Sequence, residues 1–125
     1  MLKSFAAATV TALALDAFWL SFRADYHVKL MKSVQGSDPV IRVIPVLLIY
    51  ILIPAAVVYF AVKPASSLKE AVLSGLLLGF TIYGVYDLTN LASLKAWTLE
   101  MTFTDMAWGT VLCGAIAAAG YYVKK

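Results

Sequence analysis

Residues 71–94 read AVLSGLLLGFTIYGVYDLTNLASL, an uncharged run that is broken only by Asp87. At 1.5 Å rise per residue the stretch reaches about 36 Å as a helix, against a bilayer hydrocarbon core of about 30 Å. A strand of a membrane barrel would need polar alternation, and none is present. The segment therefore reads as a membrane-crossing helix, and its one carboxylate needs a physical reason.

Three more segments have the same character. Residues 4–22 carry one charge, Asp16, and residues 43–62 and 106–123 carry none. The whole chain has 125 residues, 62% of them hydrophobic and 14% charged, with a mean hydropathy of +0.86. A domain this small cannot bury that much apolar surface in a core of its own, so the solvent is lipid. The expected fold class is an all-α integral membrane protein, an antiparallel four-transmembrane-helix bundle. Residues 1–125 form a single transmembrane domain with spans near 3–23, 41–63, 69–94 and 104–123.

The expected connections are 23–42, 63–70 and 93–105. Only the first is long enough to hold structure, an amphipathic interfacial turn through Tyr26, Val28, Leu30 and Met31 that the GSDP turn signal at 36–39 stops. Pro45 falls in the first turns of the second span. Pro54 lies mid-span and should kink it, because it deletes a backbone hydrogen bond. The first segment reads as a retained helix, since cleavage near Ala14 would leave an unusually short leader.

Charge excludes some functions. The net charge is +3 and the pI about 9.0, but the ten Lys and Arg residues flank the spans and form no dense block, so no nucleic-acid partner is expected. With Lys3, Lys63, Lys69, Lys124 and Lys125 on the terminal side and Arg23, Lys29, Lys32, Arg42 and Lys95 opposite, the positive-inside count ties. The amino terminus and the paired C-terminal lysines favour cytoplasmic termini. Cys113, the single cysteine, reads as a small packing residue.

The polar residues inside the spans fall on one half of the membrane. Asp16 lies about 6 Å and Asp87 about 7 Å past the centres of their helices, and Asp105 starts the fourth span on the same side. On the third span Gly79, Tyr83, Asp87 and Asn90 share a stripe at i, i+4, i+8 and i+11, which should point inward. Gly75 and Gly79 form a GxxxG that permits close helix packing within the bundle or in a homodimer. A D-x-x-W pattern occurs twice, as Asp16 to Trp19 and Asp105 to Trp108, placing acid and indole on one helix face.

YDLTNLASLKAW at 86–97, then DMAWG at 105–109, with the early D-x-x-W, resembles a family of small bacterial inner-membrane proteins catalogued as domain of unknown function 2177. The resemblance covers essentially the whole chain and implies a compact four-helix membrane protein, with no established activity or cofactor. Its family-like positions are Asp16, Trp19, Tyr86, Asp87, Thr89, Asn90, Lys95, Trp97, Asp105, Trp108 and Gly109.

Three functions compete. Intramembrane carboxylates mark ion or proton pathways, so the first is small-molecule or proton-coupled binding or transport through a cavity lined by Asp16, Trp19, Tyr83, Asp87, Asn90, Asp105 and Trp108. The second is a structural subunit in which Arg23, Lys95 or Arg42 neutralises Asp87 within about 4 Å. The third is a lipid-modifying enzyme using a carboxylate as acid or base, against which stand the absence of a Ser-His pair, of HxxxH and of DDxxD. His27, in the first connection, reads as interfacial. The expected partners are membrane lipids and a second copy of the chain. The ligand and cofactor are unknown, and no metal site is expected.

Overall fold

The computed structural model describes residues 1–124, and within them all regular structure is helical. The helices are α1 (Leu2–Gln35), α2 (Val43–Val57) running into a π-helical turn (Val58–Val62), α3 (Leu68–Ser93) and α4 (Leu99–Tyr122). All four are long and apolar enough to cross a membrane, α2 with its π turn counted as one. Lys125, counted above among the terminal-side bases, lies outside the described residues.

The bundle is antiparallel, and two contacts fix the outer helices. At the terminal end the Ser4 hydroxyl donates to the Gly120 carbonyl at 2.7 Å, and at the far end Tyr26 hydrogen-bonds Thr98. α3 and α4 pack most intimately. A Cβ on Gly75 would lie 2.6 Å from the Cys113 carbonyl oxygen, and one on Gly79 would collide with the carbonyl of Gly109. The GxxxG is thus occupied within the chain, by the small face of α4.

Two boundaries differ from the expectation. α1 does not end at residue 23 but runs on to Gln35, replacing the long first connection by the short segment 36–42. The reason is visible in RADYHVKLMKSVQ: it holds no Gly or Pro, and Tyr26, Leu30 and Val34 recur at helical spacing. These side chains, with Met31, pack on Trp97 and Met101 in a second apolar cluster. The helix stops at Gly36, whose φ of +79° places its N–H on the Lys32 carbonyl at 2.8 Å. α4 begins at Leu99 and not near 104, because Thr98 caps it by accepting the Met101 N–H at 3.0 Å.

α2 carries Pro45 in its first turn and continues through Pro54 to the π turn, where Lys63 N–H reaches back to Val58 C=O at 2.8 Å. The end of this helix is closed by the Lys124 ammonium, which donates to the carbonyls of Val62, Lys63 and Ala65 at 3.0, 3.1 and 2.8 Å. The π turn packs on α3, while residues 43–49 of α2 stay exposed and stand away from it. The bundle is therefore tight at the terminal end and open between α2 and α3 at the other.

Candidate functional site

The opening between the helices is a cavity of about 450 Å³, within the 300–1,000 Å³ common for small-molecule sites. α1 supplies Asp16, Trp19, Leu20, His27 and Met31. α2 contributes Ile49 and Ile53, α3 Ile82, Tyr83 and Tyr86, and α4 Met101, Asp105 and Trp108. The wall is mainly apolar, with two carboxyls and one imidazole. Along α1 it extends from Asp16, in the apolar part of the helix, to His27 and Met31, on its charged extension.

Asp16 is held on both oxygens. Tyr50 Oη donates to one at 2.8 Å and Trp108 Nε1 to the other at 2.9 Å, tying α1 to α2 and to α4. Each carboxylate oxygen has a second lone pair, so Asp16 can still accept from a molecule in the cavity. The indoles of Trp19 and Trp108 stack with centroids 4.6 Å apart and planes 6° from parallel. The two D-x-x-W patterns thus meet, but Asp16 is bonded to the tryptophan of the other helix.

Asp87 is fully buried at the seam of α3 and α4, where no hydrogen-bond donor reaches either of its carboxyl oxygens. The polar group within reach is the carboxyl of Asp105, itself 8% exposed. Asp105 forms part of the cavity wall; Asp87 lies behind it. Asn90 is half-buried and also outside the wall.

Neither arrangement expected of Asp87 is the one found. It is not on the cavity wall with Asp16, and among the described residues no base forms an ion pair with it. Arg23 is engaged elsewhere, pairing with Glu100 at 3.3 Å, reaching Thr104 at 3.4 Å and lying 4.4 Å over the Tyr26 ring. Among the described residues, no ion pair involves Lys95, Arg42 or Asp87. Tyr83 is where its stripe put it, lining the cavity with its ring packed so closely on Gly109 that a Cβ there would enter it. Trp97 belongs to the second apolar cluster, not to the cavity.

His27 and Tyr50 are polar groups of this region that the sequence reading did not select, and Tyr86 was named only as a family-like position. For His27 the signal was there: it follows Asp16 by eleven residues, three helical turns, and would share its face if the helix continued. Its imidazole and the Asp105 carboxyl both line the cavity, where each bears on the other's charge. Tyr50 has no comparable signal within an unbroken apolar run.

Fold and site together define a small membrane protein with four candidate spans and a carboxyl-lined cavity between them. The chain belongs to the family described as "Predicted membrane protein (DUF2177)", whose match covers residues 1–122. Neither a curated protein nor a solved structure matches it.

Proposed function

We propose that this protein binds a small molecule in the cavity, with proton coupling, as a transporter or receptor of a bacterial inner membrane whose two termini face the cytoplasm. The observation that carries this reading is Asp16, a carboxylate at hydrocarbon depth on the wall of an apolar cavity of about 450 Å³. A carboxylate placed there on the insertion scale costs on the order of 3 kcal/mol at the helix centre. The Tyr50 and Trp108 donors offset part of that cost and leave the carboxylate aimed at the cavity. The two indoles beside it stack on each other, and the Arg23 guanidinium 5.8 Å from the Trp19 ring centroid shows that this aromatic pair accepts a cation.

The test uses tetraphenylphosphonium as probe, titrated into the protein in nanodiscs and followed by tryptophan fluorescence. Saturable binding that Asp16→Asn weakens at least tenfold, with the variant still folded, supports the reading. Binding that is absent, or unchanged in Asp16→Asn, overturns it.

A scaffold role has one observation in its favour: Asp16 joins three helices through its two hydrogen bonds. In that case Asp16→Asn should unfold the bundle at much lower temperature, and no probe should compete with that effect.

A further inference from the structure

The cavity reading uses Asp16 and leaves the most unusual group of the molecule unexplained. Asp87 is fully buried, has no donor on either oxygen, and has Asp105 as its polar neighbour. Two adjacent carboxylates in an apolar seam, with no lysine or arginine paired to either among the described residues, repel each other and lack solvation, which disfavours ionising both together.

The charged and titratable groups around the pair are few. α4 brings Asp105. α1 brings His27, facing Asp105, and Asp16 farther down the cavity; its Arg23 is turned to Glu100. α3 itself adds the phenols of Tyr83 and Tyr86. α2 has no charged residue and places its Tyr50 hydroxyl on Asp16. Among the described residues no lysine or arginine pairs with either carboxyl. Burial holds the His27 imidazole below its usual range and so favours its neutral form, and what can balance a second negative charge is a cation in the cavity, because Asp105 lies on the wall.

We propose that the Asp87–Asp105 pair holds one proton in the empty protein and releases it when a lipophilic cation enters the cavity, so that binding exchanges one cation for one proton. This rests on the cavity reading above and assigns the carboxyls different roles. Asp16, fixed by Tyr50 and Trp108, anchors the ligand, while the pair stores the proton. In the exchange one carboxyl O–H bond breaks, the proton leaves to water through the open side of the cavity, and the entering cation replaces its charge. The net charge of the site is the same before and after, which is the cheapest exchange in a low-dielectric region.

Calorimetric titration of tetraphenylphosphonium into the nanodisc-embedded protein, repeated in two buffers of different ionisation enthalpy, counts the protons. The expected result is about one proton released per cation in the wild type, with affinity falling about tenfold for each unit of pH decrease. In Asp87→Asn and in Asp105→Asn the release should drop to near zero and the pH dependence should flatten. In His27→Gln release per bound cation should stay near one. Saturable binding without proton release in the wild type overturns the exchange and leaves the cavity reading standing. Release lost in His27→Gln but kept in Asp87→Asn also overturns it, assigning the proton to the imidazole. No saturable binding at all overturns both readings. If both aspartate variants fail to fold, the wild-type proton count and pH slope still decide.

Discussion

At the scale of single residues, Asp16 is a carboxyl within an apolar helix that two neutral side chains satisfy. Asp16 has two neutral donors from two other helices. An average side-chain hydrogen bond in a membrane bundle contributes about 0.6 kcal/mol, so Tyr50→Phe or Trp108→Phe alone should cost little. Removing both leaves the acid with no donor, and the loss should then approach the ~3 kcal/mol cost of an unsolvated aspartate and exceed the sum of the single changes. Unfolding in mixed micelles checks this. With Asp16→Asn as background the non-additivity should shrink to a few tenths of a kcal/mol, since no charge remains to be stranded. Equal, additive losses in both backgrounds would refute the account.

At the scale of elements, the α3–α4 seam and the end of α1 make opposite kinds of demand on glycine. Gly79 needs to be glycine because of space, as a Cβ would meet the Gly109 carbonyl and the Cys113 side chain. Gly79→Leu should prevent the seam from closing and yield little folded protein by size exclusion in detergent, against near-normal yield for Leu77→Ala on the exposed face of α3. Gly36 has nothing within 4 Å of a Cβ, but its φ of +79° is a left-handed conformation. Gly36→Ala should therefore cost roughly 1–2 kcal/mol through backbone strain alone. A neutral Gly36→Ala in thermal unfolding would mean that the end of α1 rearranges freely. These elements also show what was legible in the sequence. Length and hydropathy were enough to locate the four spans, and GSDP marked the stop at Gly36. The extent of α1 was missed because charges at Arg23, Asp25, Lys29 and Lys32 were read as loop, although a helix that leaves the membrane needs charges of that kind. Of the residues named as a candidate site, Asp16, Trp19, Tyr83, Asp105 and Trp108 line the cavity, while Asp87 and Asn90 do not. The pairing of Asp87 with Asp105 was not legible, because it depends on the rotation of α4 against α3. That rotation is set by glycines packing on carbonyl oxygens, and no one-dimensional pattern reports it.

At the scale of the whole molecule, the bundle is asymmetric along the membrane normal. α1, at 34 residues, is about 51 Å long, some 20 Å more than the hydrocarbon is thick. The excess is at the far end, where Leu30, Trp97 and Met101 form the second apolar cluster beside the cavity mouth. At the terminal end, Ser4 on Gly120 and Lys124 on the three carbonyls after the π turn hold the helices together. The helices are thus joined at the terminal end, while residues 43–49 of α2 stay exposed beside the cavity at the other. The lysine and arginine tie leaves the side to be found by labelling, for which Cys113 is a convenient silent background because it is buried. Ser33→Cys and Lys95→Cys, at the far end, should react with a membrane-impermeant maleimide from the same face, and Lys63→Cys from the opposite face. With cytoplasmic termini, intact bacterial cells whose outer membrane has been permeabilised should label the first two and spare the third. The reverse pattern would place the cavity mouth toward the cytoplasm, and equal labelling of all three would indicate insertion in both orientations. Labelling of Ser33→Cys and Lys63→Cys from one face only, with none from the other, would contradict the antiparallel bundle, since the chain passes through the membrane once between them.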